Sequence, residues 1–306
     1  AGLERLLDAV GLALRGEVRY RSWENRLRPW DFAAFLNEKR QHFCGRRWLF
    51  DAIDSWRSLS HERALLITGG PGTGKSAVVS ELIHRNPGGQ VLAYHCCQAD
   101  TAATLQPGRF VRSLAGMIAS RLPEYAALVE DGPVASALDA DASDRDPGSA
   151  FEEGILTPLE SLAAPADGVR YLLVDALDES LVLRAEGQTS ILDVLAPRLD
   201  RLPGWLRLMV TSRHEPAVLE RLGSLRVLEL DSGNSIRQDI EEYIVRRLGS
   251  PGLDVRLAES TLPASEICQR LLNASEGNFL YAREALAGVE RGLYRLDRLD
   301  ALPPGL

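Results

Sequence analysis

The chain has 306 residues, of which 45% are hydrophobic and 25% charged, with a formal net charge of −8 and a pI near 5.3. These values are typical of a globular protein with one large domain or two modest ones. The acidic balance and the lack of a long basic stripe argue against a nucleic-acid partner, and the apolar runs are far too short to cross a membrane. The sequence has no signal-peptide pattern and no zinc-type cysteine spacing, so we expect a cytoplasmic protein with reduced thiols.

The first part of the chain predicts helices. Residues 2–14 carry leucines and a valine at helical spacing, which predicts a short amphipathic helix. Residues 31–60 again show a helical pattern, interrupted by the short stretch Phe43-Cys44-Gly45-Arg46.

From residue 64 onward, apolar runs alternate with helical patterns. The apolar runs predict strands at residues 64–68, 91–96, 171–174, 206–211 and 226–230. The helical patterns lie between them at residues 77–85, 109–121, 151–163, 189–199 and 216–222. The acidic, small-residue segment 130–148 predicts a loop. The alternation predicts an α/β fold with a five-stranded parallel sheet and flanking helices.

After residue 231 no strand is evident. Residues 235–249, 264–273 and 277–291 predict helices, which form a small helical region after the sheet. The last residues, Leu302-Pro303-Pro304-Gly305-Leu306, are typical of a linker.

A glycine-rich segment follows the first predicted strand. Residues 69–76 read Gly-Gly-Pro-Gly-Thr-Gly-Lys-Ser and match the Walker A pattern of a phosphate-binding loop. Glycines let the backbone curl so that N–H groups point at an anion, and the helix that follows adds a positive dipole end. Lys75 can reach the β- and γ-phosphates, and Ser76 can offer its hydroxyl to Mg²⁺. The predicted nucleotide-binding residues here are Gly70, Pro71, Gly72, Thr73, Gly74, Lys75, Ser76 and Ala77.

Acidic residues follow the third predicted strand, which a phosphate site needs for its metal. Four apolar residues run into Asp175, which is placed to hold Mg²⁺ together with Ser76. Asp178 and Glu179 come just after, and either of them could orient or deprotonate the attacking water. A polar cap between strand and helix is the structural alternative.

The fourth predicted strand runs into Ser212-Arg213. A cation at this position would lie near the γ-phosphate and could stabilise charge in the transition state. The alternative is a surface arginine that pairs with Glu215.

These motifs together resemble the STAND class of P-loop ATPases, and within it the NACHT branch. The acidic signature Asp-Ala-Leu-Asp-Glu at 175–179 is the most diagnostic piece. The stretch 43–47 resembles the Gly-Arg element of that family, which implies that Gly45 and Arg46 lie near the adenine. Residues 240–248 and 274–282 resemble its helical lid. Within that branch the sequence most resembles bacterial proteins that carry a protease-like or other effector before this module and WD40 or TPR repeats after it.

The resemblance implies a P-loop NTPase core of the ASCE or AAA-like type, with a domain division to match. We predict an N-terminal helical segment or linker over residues 1–36, the NACHT-like core over 37–231 and a helical lid over 232–306, cut before a winged helix. The implied cofactors are ATP or ADP with Mg²⁺. The implied catalytic residues are Lys75, Asp178, Glu179 and Arg213.

The implied function is a regulatory switch with slow, Mg²⁺-dependent ATP hydrolysis. Such proteins rest with ADP sealed between sheet and lid, and the ATP form opens and self-associates to activate an effector. The implied partners are therefore a second copy of the chain and the effector and sensor-repeat domains of a longer protein, and bacterial defence is a role suggested by analogy.

Two other functions stay open at this point. One is an ordinary catalytic ATPase, such as a phosphotransferase or a nucleic-acid motor, although neither a basic substrate lid nor a basic groove is visible. The other is a scaffold that binds nucleotide without hydrolysing it. The sequence has no guanine-reading motif of the Asn-Lys-x-Asp type, which favours adenine over guanine.

Overall fold

A computed structural model describes residues 23–59, 62–86, 89–166, 168–182, 188–231 and 234–301. The helix predicted over residues 2–14 and the linker predicted over 302–306 lie outside the described residues. No helix in the described ranges combines the length and the apolar character needed to cross a lipid bilayer.

The centre of the molecule is a parallel sheet of five strands in the order β2-β3-β4-β1-β5. The strands are β1 (Ala64–Thr68), β2 (Val91–Cys96), β3 (Arg170–Asp175), β4 (Leu206–Ser212) and β5 (Arg226–Glu229). Strands β1 and β3 are buried along their whole length, as their continuous apolar runs predict for strands covered on both faces. The predicted α/β fold with a five-stranded parallel sheet and flanking helices is confirmed.

Helices cover both faces of the sheet. On one face, alternate residues such as Leu66 and Val210 pack with Phe110 and Leu114 of the helix Pro107–Arg121. On the other face, Leu65 and Ile67 pack with residues of the helices Arg47–Leu59 and Lys75–Arg85. The helices up to β3 are α1 (Trp23–Arg26), α2 (Ala33–Arg40), α3 (Arg47–Leu59), α4 (Lys75–Arg85), α5 (Pro107–Arg121), α6 (Pro123–Leu128), α7 (Gly132–Ala137), α8 (Ala140–Arg145), α9 (Pro147–Phe151) and α10 (Thr157–Ser161).

Residues 23–36, which the sequence analysis assigns to an N-terminal segment, share the core of the sheet. Trp23, Leu27 and Phe32 are buried in the same cluster as α5. The carbonyl of Leu27 lies so close to Gly116 that a Cβ there would be 1.8 Å from it. This part of the chain is therefore packed into the α/β layer.

The loop prediction for residues 130–148 was wrong. The segment forms α7 and α8 and leads into α9, and the buried side chains of Ala135, Leu138 and Ser143 anchor it. Its acids and prolines are helix starters here. Asp139 and Asp146 accept backbone N–H groups of the helices that follow them, and prolines occupy the first turns of α7 and α9.

After β3 a 3₁₀ turn (Leu177–Leu181) leads towards α11 (Ile191–Leu195) and a second 3₁₀ turn (Ala196–Arg201), and α12 (Pro216–Leu222) follows β4. Beyond β5 the described elements are α13 (Asn234–Leu248), α14 (Pro251–Ala258), α15 (Ala264–Ser275), α16 (Phe279–Glu290) and a 3₁₀ segment (Leu296–Ala301). We call α13 to α16 the C-terminal helices. They enclose a core of their own, which includes Ile240, Leu271 and Leu286.

The register of the sheet aligns the ends of its central strands. Thr68 of β1 is opposite Ser212 of β4, and Cys96 of β2 is opposite Asp175 of β3. The segments that follow these strands therefore meet at the carboxyl edge, where open α/β sheets bind ligands.

Candidate functional site

The glycine-rich loop, residues 69–74, joins β1 to α4 at this edge. Gly72 and Gly74 have φ values of +76° and +90°, which favour glycine, and α4 begins directly afterwards at Lys75. The first turn of α4 is thus presented at the edge together with the loop. Helix N-termini and curled glycine loops both direct backbone N–H groups at anions.

The start of the loop is held by side chains. The Lys75 ammonium donates to the carbonyls of Gly69 (2.6 Å) and Gly70 (2.8 Å), and Asp231 Oδ2 accepts from the N–H of Gly70 (2.8 Å). Burial lowers the pKa of Lys75, while the carboxylates of Asp178 and Asp175 oppose that change. Lys75 is therefore a largely buried cation within the field of two acids.

Asp175 lies at the end of β3 and is fully buried. Its Oδ1 accepts from the Thr211 hydroxyl at 2.5 Å, whereas its Oδ2 has no hydrogen-bond partner among the described residues. Burial raises the pKa of Asp175, and contacts with the hydroxyls of Thr211 and Ser76 oppose the rise. A buried carboxylate oxygen without a partner, beside a serine hydroxyl, suits a hard divalent cation.

The described residues contain no group of three or more His, Cys, Asp or Glu side chains arranged around one metal position. A cation beside Asp175 and Ser76 would need further oxygen ligands, which water and a bound phosphate can supply. Mg²⁺ commonly binds in this way, through one or two carboxylates together with water and substrate phosphates. The donor set thus fits Mg²⁺ in the presence of a phosphate ligand.

Asp178 and Glu179 lie in the 3₁₀ turn after β3 and both face Arg213. Asp178 Oδ1 accepts from the backbone N–H of Arg213 at 3.0 Å, and its Oδ2 is 3.4 Å from Arg213 Nε. Glu179 Oε1 is 3.5 Å from Arg213 Nη2, and its Oε2 accepts from the N–H of Ala99 at 2.7 Å. Burial raises the pKa of Glu179. Arg213 pairs with these two acids, whereas its contact with Glu215 is a backbone hydrogen bond.

A cavity of about 360 Å³ opens above the glycine-rich loop. One wall is polar and consists of the loop, the first turn of α4, the two acids and Arg213. The other wall carries Phe43, Cys44, Tyr243 and Phe279. The cavity thus has a half suited to anions and a half suited to a flat apolar group.

The sequence-predicted site residues divide into two sets. Those that line the cavity are Arg46, Pro71, Gly72, Gly74, Lys75, Ser76, Ala77, Asp178, Glu179 and Arg213. Gly45, Gly70, Thr73 and Asp175 are not among its lining residues, although the carbonyls of Gly70 and Thr73 accept from Lys75 and Arg46, which do line it. Thr211, which supports Asp175, was missed, although a polar residue at the end of a buried strand is a usable signal.

Arg46 connects the glycine-rich loop to the C-terminal helices. Its guanidinium, 2% exposed, donates to the carbonyls of Thr73 and Leu230 and lies 4.7 Å from the centre of the Phe279 ring. Asp239 of α13 accepts from the backbone N–H of Arg46 at 2.8 Å, and its other oxygen accepts from Trp48 Nε1 at 2.9 Å.

Gly45 makes room for this contact. Its φ is +70°, and a Cβ there would lie 2.6 Å from Asp239 Oδ1. Sequence reasoning missed Asp239. Its signal is its position three residues after Ile236, which places a carboxylate on the buried face of a helix.

Asn278 makes the second connection. Its side-chain oxygen caps α16 by accepting from the N–H groups of Leu280 and Tyr281, and its Nδ2 donates to the carbonyl of Pro71 at 3.3 Å. The N–H of Leu280 also donates to the carbonyl of Gly72 at 3.2 Å. Gly72 is needed here, since a Cβ would lie 2.2 Å from Asn278 Oδ1. The sequence indicated the segment 274–282 but not this role of Asn278.

One family model covers the part of the chain that contains these residues. A family model described as Nephrocystin 3, N-terminal, matches residues 45–213, which is more than half of the chain. The match begins at Gly45 and ends at Arg213, so it contains every site residue that the sequence analysis named.

Proposed function

The chain belongs to the nephrocystin 3 N-terminal family, and we propose that it binds ATP and ADP with Mg²⁺ and hydrolyses ATP slowly, as the switch module of a STAND-class, NACHT-type signalling ATPase. The observation that carries this proposal is the two-sided cavity. The glycine-rich loop, Lys75 and Ser76 line one side, where Ser76 lies beside the buried carboxylate of Asp175, and the aromatic wall forms the other side. A nucleoside polyphosphate has the same division between charge and flat base.

The phosphates would bind at the glycine-rich loop and the first turn of α4. Backbone N–H groups there would supply hydrogen-bond donors, and Lys75 would supply a cation. Because burial excludes water, the attraction between this cation and a phosphate would be stronger than in solvent. Lys75 is one of two lysines in a chain with 35 lysines and arginines in total. The other cationic positions of the chain are almost all arginine, whereas position 75 is lysine, whose compact point charge suits the end of a phosphate chain.

The metal would be held by Asp175 and Ser76. Magnesium held there would neutralise negative charge on the phosphates. The contribution of the chain is the buried Asp175 carboxylate, which Thr211 orients through a hydrogen bond of 2.5 Å.

We assign the general base to Glu179. Burial raises the pKa of its carboxyl group, which brings it closer to the range in which a carboxylate accepts a proton efficiently. Asp178 instead holds the backbone of Arg213, with Oδ1 3.0 Å from that N–H. The Arg213 side chain is 53% exposed, so it can turn from the acids towards a γ-phosphate.

The adenine ring of the nucleotide would lie against Phe43, Cys44, Tyr243 and Phe279, between the Gly-Arg element and the C-terminal helices. Aromatic faces suit a purine. The sequence favours adenine because it lacks a guanine-reading motif.

The switch itself would follow from the contacts between the glycine-rich loop and the C-terminal helices. ADP would hold the two together, and ATP would favour an open form that associates with further copies in the cytoplasm. A ligand can drive such a change through unequal affinities for the two states, and Lys75, Arg213 and Mg²⁺ are the groups that would distinguish a γ-phosphate. Effector and sensor-repeat domains would be the partners within a longer protein.

The first test identifies the nucleotide that the protein carries. The protein is purified without added nucleotide and denatured, and the released compounds are separated by chromatography. We expect nearly one ADP per chain from the wild type and none from Lys75→Ala, because that variant lacks the cation at the phosphates. Arg85→Ala, which removes a cation from the far end of the same helix, should keep its ADP.

ATP turnover then tests the assignment of the base. Glu179→Gln should lower turnover at least about a hundredfold while ATP still binds.

Equal nucleotide affinity in the wild type and Lys75→Ala would contradict the placement of the phosphate site. An empty wild-type protein with steady turnover would favour an ordinary catalytic ATPase, and ATP binding without measurable turnover would favour a scaffold.

A further inference from the structure

Successive carbonyls of the glycine-rich loop all accept hydrogen bonds. The carbonyls of Gly69 and Gly70 accept from Lys75, the first residue of α4. The next three carbonyls accept from groups outside the loop and α4. The pairs are Pro71 with Asn278 Nδ2, Gly72 with the N–H of Leu280, and Thr73 with the Arg46 guanidinium.

The third of these contacts depends on a single carboxylate of α13. Asp239, 6% exposed, accepts from the backbone N–H of Arg46 and from the Trp48 indole, and its Oδ2 is 3.7 Å from Arg46 Nη1. It therefore fixes both the backbone and the guanidinium of Arg46. The guanidinium reaches the Thr73 carbonyl from this fixed position.

The direction of a carbonyl determines the direction of the next N–H. A trans peptide is planar, and its C=O and N–H point to opposite sides. Arg46 holds the Thr73 carbonyl, so the N–H of Gly74 points away from Arg46. Likewise, Leu280 holds the Gly72 carbonyl and so sets the direction of the Thr73 N–H. Gly74 lines the cavity, so its N–H is part of the donor set for an anion.

We propose that Asp239 is a positioning residue for phosphate binding, which acts through Arg46 to orient the N–H of Gly74 in the glycine-rich loop. This inference rests on the proposed function, since it concerns the same phosphate site. It gives α13 an influence on phosphate affinity through Arg46, although α13 does not supply a phosphate ligand itself. By linkage, phosphate binding strengthens the attachment of α13 to the loop by the same factor.

The test compares Asp239→Asn with the wild type in competition binding, with a fluorescent ADP analogue as the reporter and inorganic pyrophosphate as the competitor. Asparagine keeps the size of the side chain and one acceptor, but it loses the charge and the second acceptor. We expect pyrophosphate and ADP to bind at least about fivefold more weakly. Binding of adenosine, which lacks phosphates, should change less than about twofold, measured by the same displacement.

The matched control is Glu290→Gln, which removes an ion pair with Arg247 inside the C-terminal helices and leaves the loop untouched. It should bind pyrophosphate as the wild type does. Arg46→Lys should weaken pyrophosphate binding as Asp239→Asn does, and the double variant should be no weaker than either single one, because the two residues act in series. Full pyrophosphate affinity in Asp239→Asn, or additive losses in the double variant, would overturn the proposal.

Hydrogen exchange on the protein without nucleotide separates this proposal from the proposed function. A peptide over residues 69–76 should exchange faster in Asp239→Asn than in Glu290→Gln, while α15 exchanges equally in both. If the wild type binds no nucleotide, the proposed function fails and this exchange result still decides the role of Asp239. Unchanged loop exchange, or equally faster exchange throughout α15, would overturn that role.

Discussion

Asp175 shows at the scale of one residue how a binding site can oppose stability. Its carboxylate is fully buried, and its Oδ2 has no hydrogen-bond partner among the described residues. Because burial raises the folded-state pKa of this acid above its usual value, the charged form is disfavoured in the folded protein. Above the usual pKa, the ionised side chain therefore lowers the free energy of unfolding.

Asp175→Asn should therefore stabilise the metal-free protein. We expect the free energy of unfolding at pH 7 to rise by about 1 kcal/mol, measured by urea unfolding in EDTA. The same variant should lose most of the effect of Mg²⁺ on ADP affinity, because a neutral amide is a poorer ligand for a hard cation. Asp254→Asn, an exposed acid in the first turn of α14, is the control for both measurements. An equal loss of ADP affinity with and without Mg²⁺ would contradict the metal role.

At the scale of elements, the strands could be predicted because their signal is local. Four of the five predicted runs are dominated by apolar residues, and the structure places strands at all five. Short helices were harder, since α7 and α8 begin at residues that also favour turns. Gly132, Pro133 and Asp139 start helices because Ala135, Leu138 and Ser143 are buried against neighbouring elements. Tertiary packing therefore determines whether these residues form a turn or a helix, and a local sequence pattern carries no information about that packing.

The turn between β3 and the acids contains a strained residue. Ala176 has φ +54° and ψ +49°, a left-handed conformation that glycine adopts without cost. This turn directs Asp178 and Glu179 towards Arg213, and the N–H of Ala176 donates to Thr211 Oγ1 at 2.8 Å.

Ala176→Gly should relieve this strain. We expect the free energy of unfolding to rise by about 0.5–1 kcal/mol in urea unfolding. Ala127→Gly, at an exposed position in α6, should have the opposite sign and lose about 0.5–1 kcal/mol, because glycine weakens a helix. Losses of the same size in both variants would show that the turn conformation costs nothing at Ala176.

At the scale of the whole molecule, the predictable part of the site is the part that is continuous in sequence. The glycine-rich loop and the segment 175–179 carry their chemistry within a few residues, and the parallel sheet brings them to one edge. Asp239 and Asn278 could not be found in this way. They lie 193 residues from Arg46 and 207 residues from Pro71, respectively, and their roles depend on how the C-terminal helices pack.

His95 connects the same large-scale packing to pH. It lies on β2, is 1% exposed, and its ring meets Phe32, which precedes α2, and Phe110 of α5 at 5.2 and 5.0 Å between centroids. Nε2 is 2.7 Å from the carbonyl of Thr104, so this nitrogen carries the proton of the neutral ring. A second proton would go to Nδ1, which has no hydrogen-bond partner among the described residues.

Burial accordingly lowers the pKa of His95 to about 4. The unfolded chain, with a histidine pKa near 6.5, binds the proton first as the pH falls. The stability that neutral His95 contributes is therefore complete above pH 6.5 and is lost as the pH falls from 6.5 towards 4. Between pH 6.5 and 5 this loss should be about 2 kcal/mol in the free energy of unfolding.

His95→Gln tests this dependence, because glutamine can still donate to the Thr104 carbonyl but does not titrate. The difference in unfolding free energy between wild type and variant should shrink by about 2 kcal/mol from pH 6.5 to pH 5, measured by urea unfolding at each pH. Carboxylates that titrate in both proteins cancel in this difference. His84→Gln, at an exposed position near the end of α4, is the matched control substitution. A constant difference between wild type and His95→Gln would mean that His95 is charged or solvated in the fold, and the packing of β2 against α5 would then not depend on its neutrality.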